Sequence, residues 1–124
     1  MTGEQLVARA EAAAAHAYAP YSNYLVGAIV LTTDGRAYEG VNVENAAYPL
    51  GICAEKTAIA KAASDGVRPG EIDAVGITAS PCGGCRQWLY EWRVRRVFFR
   101  REDGTIAEYG PADLLPDTWN LPGT

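Results

Sequence analysis

Cys53-Ala54-Glu55 and, about thirty residues further on, Pro81-Cys82-Gly83-Gly84-Cys85 carry all three cysteines of this 124-residue chain. Each cluster stands at the head of a predicted helix. Residues 53–64 are rich in alanine, a strong helix former, and Gly66 supplies the stop. A second helix follows Pro81 over residues 82–92. Between them, residues 72–78 are almost continuously apolar, the pattern of a strand buried on both faces in mid-sheet. Helix, central strand and helix in succession set the class as α/β. Outward from this centre, Thr2 and Gln5 form a capping box for a helix reaching residue 17, with Leu6, Val7, Ala10, Ala14 and Ala17 on its buried side and Pro20 beyond it. Residues 25–31 and 37–43 read as strands joined at Asp34-Gly35, and 45–51 as a loop. Residues 94–100 and 105–109 are strands joined at Asp103-Gly104, followed by one helical turn at 111–115 and a tail from Trp119 to Thr124. The sum is a three-layer α/β/α fold around a mixed five-stranded sheet, with residues 1–124 as a single domain.

Composition sets outer bounds on function. With 48% hydrophobic and 21% charged residues the chain has ordinary globular content. No apolar run approaches a membrane span, and Met1-Thr2-Gly3-Glu4 does not begin a signal peptide. An odd cysteine count argues against a disulfide framework and for a reducing compartment, the cytoplasm. A formal net charge of -4 disfavours nucleic acid as a partner. One cluster runs against that balance: Arg86, Arg93, Arg95, Arg96, Arg100 and Arg101, interleaved with aromatics. It reads as a solvated strand edge or a subunit contact in preference to a nucleic-acid face.

The cysteines decide the chemistry. Zinc favours tetrahedral coordination, so the thiolates of Cys53, Cys82 and Cys85 leave one position open for water, the mark of a catalytic site. Helix N-termini favour thiolates there. Cys82 and Cys85 share a helix face. Cys53 and Glu55 do not, and converge only because first-turn side chains tilt toward the helix start. Glu55 is then the general acid–base, and Cys-x-Glu followed by Pro-Cys-x-x-Cys is the pattern of zinc-dependent deaminases. Lys56 and Arg86, adjacent to the ligands, are candidates to offset the negative charge of three thiolates. Two plainer readings stand beside this one. Pro81-Cys82-Gly83-Gly84-Cys85 alone suits a redox pair, which leaves Cys53 and Glu55 without a task. A closed structural site requires a fourth ligand, and His16, the lone histidine, lies in a distant alanine-rich segment.

With these residues placed, the chain resembles the small, homotetrameric class of cytidine deaminases. The resemblance runs through Pro20-Tyr21-Ser22, Val26-Gly27-Ala28, Asn42-Val43-Glu44-Asn45-Ala46 with Tyr48, both cysteine clusters, Arg86-Gln87 and Asp113-Leu114-Leu115-Pro116. It implies hydrolysis of cytidine and 2′-deoxycytidine to their uridine counterparts with release of ammonia, in pyrimidine salvage. It places one zinc ion per chain on Cys53, Cys82 and Cys85, with Glu55 as proton shuttle. It puts the ribose on Asn42 and Glu44, with Tyr24, Tyr48, Ala54 and Trp119 as further substrate contacts. It also implies active sites completed by neighbouring chains. Four positions depart from the usual pattern: Lys56 replaces arginine, Tyr24 and Trp119 replace phenylalanine, and the 78–80 loop is short. The nearest rival is a deaminase of a cytosine nucleoside antibiotic of the blasticidin S type, against which Glu44 argues because a carboxylate suits a ribose diol. Editing of nucleic acid is more distant, since such enzymes more often carry histidine as first ligand.

Overall fold

The computed structural model describes residues 1–122, so the last two residues of the expected tail lie outside the described residues. The elements in chain order are α1 (Gly3–Ala14), β1 (Gly27–Thr32), β2 (Ala37–Val41), a short 3-10 turn (Tyr48–Leu50), α2 (Ala54–Ser64), β3 (Ile72–Ile77), α3 (Gly83–Glu91), β4 (Arg96–Arg100), β5 (Ile106–Tyr109) and α4 (Pro111–Leu114). The sheet order is β2-β1-β3-β4-β5. β1 runs antiparallel to both β2 and β3, β3 and β4 are parallel, and β5 returns antiparallel to β4. The sheet is mixed and five-stranded, as the sequence indicated.

Alternation along the strands divides the core into two layers. One face of the sheet presents Ile29, Ala74 and Phe98 to Leu6, Val7 and Ala10 of α1. The other presents Val30, Val75, Ile77, Val97 and Phe99 to Ala58, Ile59 and Ala62 of α2, Leu89 of α3 and Leu114 of α4. Helices therefore cover both faces. The buried side of α1 is Leu6, Val7, Ala10 and Ala13, which corrects the expected Ala14 and Ala17. The helix stops at Ala14, and two turn hydrogen bonds, from His16 N to Ala13 O and from Ala17 N to Ala14 O, replace its last turn. His16 is exposed on that turn and is not part of the cysteine cluster. The capping box is present, with Gln5 N donating to Thr2 Oγ1 at 3.1 Å and Thr2 N to Gln5 Oε1 at 2.9 Å.

Two strands are shorter than their apolar patterns because the chain leaves the ladder to build loops. β2 ends at Val41, and Asn42 then exchanges backbone bonds with Val26 and Tyr18. Val43 pairs with Ile52, N–H to carbonyl in both directions at 3.0 Å, pinning the segment before α2 to the end of β2. Gly40 sets how closely α2 approaches. A Cβ there would stand 2.4 Å from Ala54 O and Ala58 N, so only glycine lets the start of α2 lie against β2. β4 begins at Arg96, two residues later than expected, because Arg93 takes a left-handed φ of 53° in the turn after α3.

Candidate active site

The starts of α2 and α3 meet at one end of the sheet. Cys53 is the N-cap of α2 and Cys82 the N-cap of α3, each one residue ahead of its helix. Cys85 lies in the first turn of α3 and is fully buried, whereas Cys53 is half-buried and Cys82 exposed. The three sulfur atoms lie within 4.8 Å of one another, with Cys53 Sγ 3.7 Å from Cys82 Sγ. Such a set of three soft donors fits a zinc ion: the sulfurs are close enough to share one ion, and Cys53 and Cys82 face open space.

The electrostatics agree. Burial pushes the Cys85 thiol far up, and the nearby Glu55 and Cys53 add to that effect. Burial also raises Cys53, with the neighbouring Cys82 and Glu55 opposing its ionisation further. Cys82 goes the other way: its desolvation is outweighed by hydrogen bonds from the backbone N–H of Cys85 and from the Cys85 and Cys53 thiols. Without a cation the cluster resists becoming three thiolates, and a divalent ion is the group that reverses this balance.

Glu55, in the first turn of α2, is 3% exposed and lines the cavity in front of the cysteines. Burial raises its carboxyl above the usual range, while its own backbone N–H, the Cys85 thiol and Lys56 pull partly back. The cavity has a volume of about 550 Å³, and Asn42 and Glu44 also line it. The Glu44 carboxylate accepts the backbone N–H groups of Tyr21 at 3.0 Å and Ser22 at 3.1 Å through Oε1, and the Ser22 hydroxyl through Oε2. The Ser22 hydroxyl holds its pKa below the usual value against a small desolvation effect, with both backbone donors adding to it. Asn42 accepts Val26 N–H at 2.9 Å and donates to Tyr24 O at 2.8 Å, which fixes its amide orientation.

The sequence-expected residues thus fall into three groups. Cys53, Cys82, Glu55, Ala54, Asn42, Glu44, Tyr24 and Tyr48 border one cavity, and Cys85 closes the metal cluster behind it. Trp119 does not border this cavity; it is 65% exposed, with its carbonyl accepting Gln87 Nε2 at 3.4 Å. Lys56 projects its Nζ over the α3 start, 3.3 Å from where a Cβ on Gly84 would be. Arg86 behaves differently from expectation. Its guanidinium donates to Pro81 O, Ser80 Oγ and Leu114 O, and among the described residues no hydrogen bond joins it to a sulfur. The basic cluster is neutralised only in part: Arg96 pairs with Asp73 at 2.9 Å and Arg100 with Glu11 at 3.0 Å, while Arg101 donates to the neutral hydroxyl of Tyr109. Ser22 is the residue for which sequence reasoning found no role. Its signal was the Pro20-Tyr21-Ser22 turn, whose free backbone N–H groups and hydroxyl make a small anion-holding nest for Glu44.

Comparison with known proteins agrees with this geometry. The family profile of the cytidine and deoxycytidylate deaminase zinc-binding region matches residues 1–101. The chain is 41% identical over 128 residues to a cytidine deaminase of Sporosarcina psychrophila, covering 97% of this chain and 93% of that protein. The crystal structure of cytidine deaminase from Burkholderia pseudomallei superposes with a TM-score of 0.90 at 41% identity, covering 96% of this chain and 100% of that one. The cytidine deaminase structure from Mycobacterium tuberculosis gives 0.84 at 35% identity, covering 98% and 99%. Shared sequence over nearly the full length, shared fold and a compact cysteine cluster lead to one assignment: this chain belongs to the cytidine and deoxycytidylate deaminase family built around a zinc-binding region.

Proposed function

We propose that this protein hydrolyses cytidine and 2′-deoxycytidine to uridine and 2′-deoxyuridine, releasing ammonia, as a cytoplasmic step of pyrimidine salvage. The observation that carries the reading is a cluster of three thiols beside a nucleoside-sized cavity that is lined by two of them, by the buried carboxyl of Glu55, and by Asn42 and Glu44. Cys53, Cys82 and Cys85 would hold one zinc ion, which when bound supplies the Lewis acidity that makes water nucleophilic at neutral pH. Glu55 would take one proton of that water and deliver it to the ring nitrogen, then take the remaining proton from the hydroxyl added to the ring carbon, which becomes the carbonyl, and pass it to the amine as it leaves. Burial raises its carboxyl above the usual range, which strengthens its affinity for a proton and suits a group that must accept and then release one. Asn42 and Glu44 orient the sugar, the ionised Glu44 as acceptor of a hydroxyl. Ala54 and Tyr24 border the same cavity and would contact the nucleoside there.

A homotetramer with shared active sites fits the same surface. Tyr24, Tyr48 and Ile52 border the cavity and are exposed, as is Leu50 next to them in the chain, an apolar surface of the kind that marks a protein interface. Trp119 borders no part of its own chain's cavity, so a role over the base requires a neighbouring chain's site. Two measurements on the purified protein test the reading: metal content per chain, and loss of the ultraviolet absorbance of cytidine. The expected result is one zinc per chain, largely lost in Cys82→Ala, with turnover of both nucleosides. Full zinc in Cys82→Ala refutes the ligand set. Turnover of blasticidin S but not of cytidine moves the assignment to the antibiotic deaminases.

A further inference from the structure

Arg86 follows the last cysteine of the cluster and is tied to two separated parts of the chain. Its Nε donates to the Pro81 carbonyl at 2.9 Å, and one terminal nitrogen to Ser80 Oγ at 3.1 Å. Both acceptors belong to the turn that leads directly into Cys82. The other terminal nitrogen donates to the carbonyl of Leu114 at 2.8 Å. Leu114 is the last residue of α4, and a carbonyl at that position has no acceptor role within its own helix. Gln87, next in sequence, reaches the Trp119 carbonyl. Two consecutive side chains on α3 therefore hold the C-terminal segment at 114 and at 119, and one of them also holds the Cys82 turn.

The bonding is specific in kind. A guanidinium carries its donors in a rigid planar fork, which a single-point ammonium cannot reproduce. Here the fork is spread over three neutral oxygens, and no carboxylate pairs with it among the described residues. Arg68 makes a useful contrast. It also donates to backbone carbonyls, but these are Ala63 in the last turn of α2 and Val67 just before Arg68, both near to it in sequence. Arg68 finishes one helix, whereas Arg86 joins the cysteine turn to a segment 28 residues away.

We infer that Arg86 is a positioning residue that locks the Cys82 turn to the C-terminal segment, so that a metal on Cys53, Cys82 and Cys85 and the segment from 114 to 119 hold each other in place. The inference rests on reading the three cysteines as the metal site. The coupling is reciprocal: whatever the ordered segment adds to metal affinity, the metal returns as order in the segment. Groups that orient ligands from outside the coordination sphere typically carry about 10–100-fold in metal affinity.

The test compares the parent with Arg86→Gln, Arg86→Lys and the control Arg68→Ala, each titrated with zinc against a chromophoric chelator. Hydrogen exchange of residues 115–122 is followed in the metal-free and loaded forms. The expected result is affinity about 10–100-fold weaker in Arg86→Gln, smaller recovery in Arg86→Lys, and parent-like affinity in Arg68→Ala. Zinc should slow exchange of the segment in the parent and not in Arg86→Gln. Where Arg86→Gln does not fold, Arg86→Lys and Ser80→Ala carry the same comparison. Parent-like affinity in the Arg86 variants, an equal loss in Arg68→Ala, or metal protection that survives without the guanidinium overturns the inference. A parent that binds no zinc overturns the metal reading first and the inference with it.

Discussion

Replacing Glu44 with alanine separates recognition of the sugar from the chemistry at the base. The carboxylate is held by Tyr21 N–H, Ser22 N–H and the Ser22 hydroxyl, all on the turn after α1, and its depressed pKa keeps it ionised at neutral pH. A sugar hydroxyl donated to it forms a charge-assisted hydrogen bond, worth about 1.5–3 kcal/mol. At about 1.4 kcal/mol per factor of ten, the loss is roughly 10–150-fold in kcat/KM for cytidine. The variant leaves the two backbone N–H groups without their acceptor, but Tyr21 and Ser22 are exposed, so water replaces it at small structural cost. The cysteines stand on α2 and α3, and zinc content should stay at the parent level. The decisive assay measures kcat/KM with cytidine and with 2′,3′-dideoxycytidine, which lacks the sugar diol. The parent should distinguish the two substrates and Glu44→Ala should hardly do so. Equal losses for both substrates, or none for cytidine, would refute a sugar-binding carboxylate.

Three further outcomes follow from the same geometry. Glu55→Gln should retain zinc and fold while turnover falls about 10²–10⁴-fold, the scale of a lost general acid–base, and near-parent turnover in a stopped-flow assay assigns proton transfer elsewhere. Gly40→Ala drives a methyl against Ala54 and Ala58, 2.4 Å from their backbone atoms. It should cost about 1–3 kcal/mol in urea unfolding and weaken metal binding by displacing the start of α2, and an unchanged midpoint contradicts that packing. Trp119→Ala should raise KM for cytidine without loss of zinc, in a protein that sediments as a tetramer; a fully active monomer excludes completion of the site by a neighbour.

What the sequence revealed, and what it concealed, divides along the range of the interactions. The helix starts at Cys53 and Cys82 were legible because alanine content, Gly66 and Pro81 act within a few residues. The turns at Asp34-Gly35 and Asp103-Gly104 were legible for the same reason, with Gly35 and Gly104 at φ of 91° and 89°. The ends of β1 and β2 were not. Val26 and Val43 have strand-like side chains, yet their backbones serve the cavity wall, where the Asn42 amide takes Val26 N–H and Ile52 pairs with Val43. Propensity describes the side chain, and here tertiary hydrogen bonding decided the backbone. Ser22 was hidden similarly, because its partner Glu44 is 22 residues away.

Arg86 shows the limit most clearly. Its adjacency to Cys85 suggested a partner in sulfur, but consecutive residues on a helix do not share a face. Cys85 is fully buried with its sulfur beside those of Cys53 and Cys82, so the side chain one position on must leave in another direction. Its direction brings it to Leu114, and only the packing of α4 against α3 places a carbonyl there. A lysine in its place would keep the charge and lose the fork. Charge near the cysteines was therefore readable from sequence, whereas the geometry that makes arginine the fitting residue exists only in the folded chain.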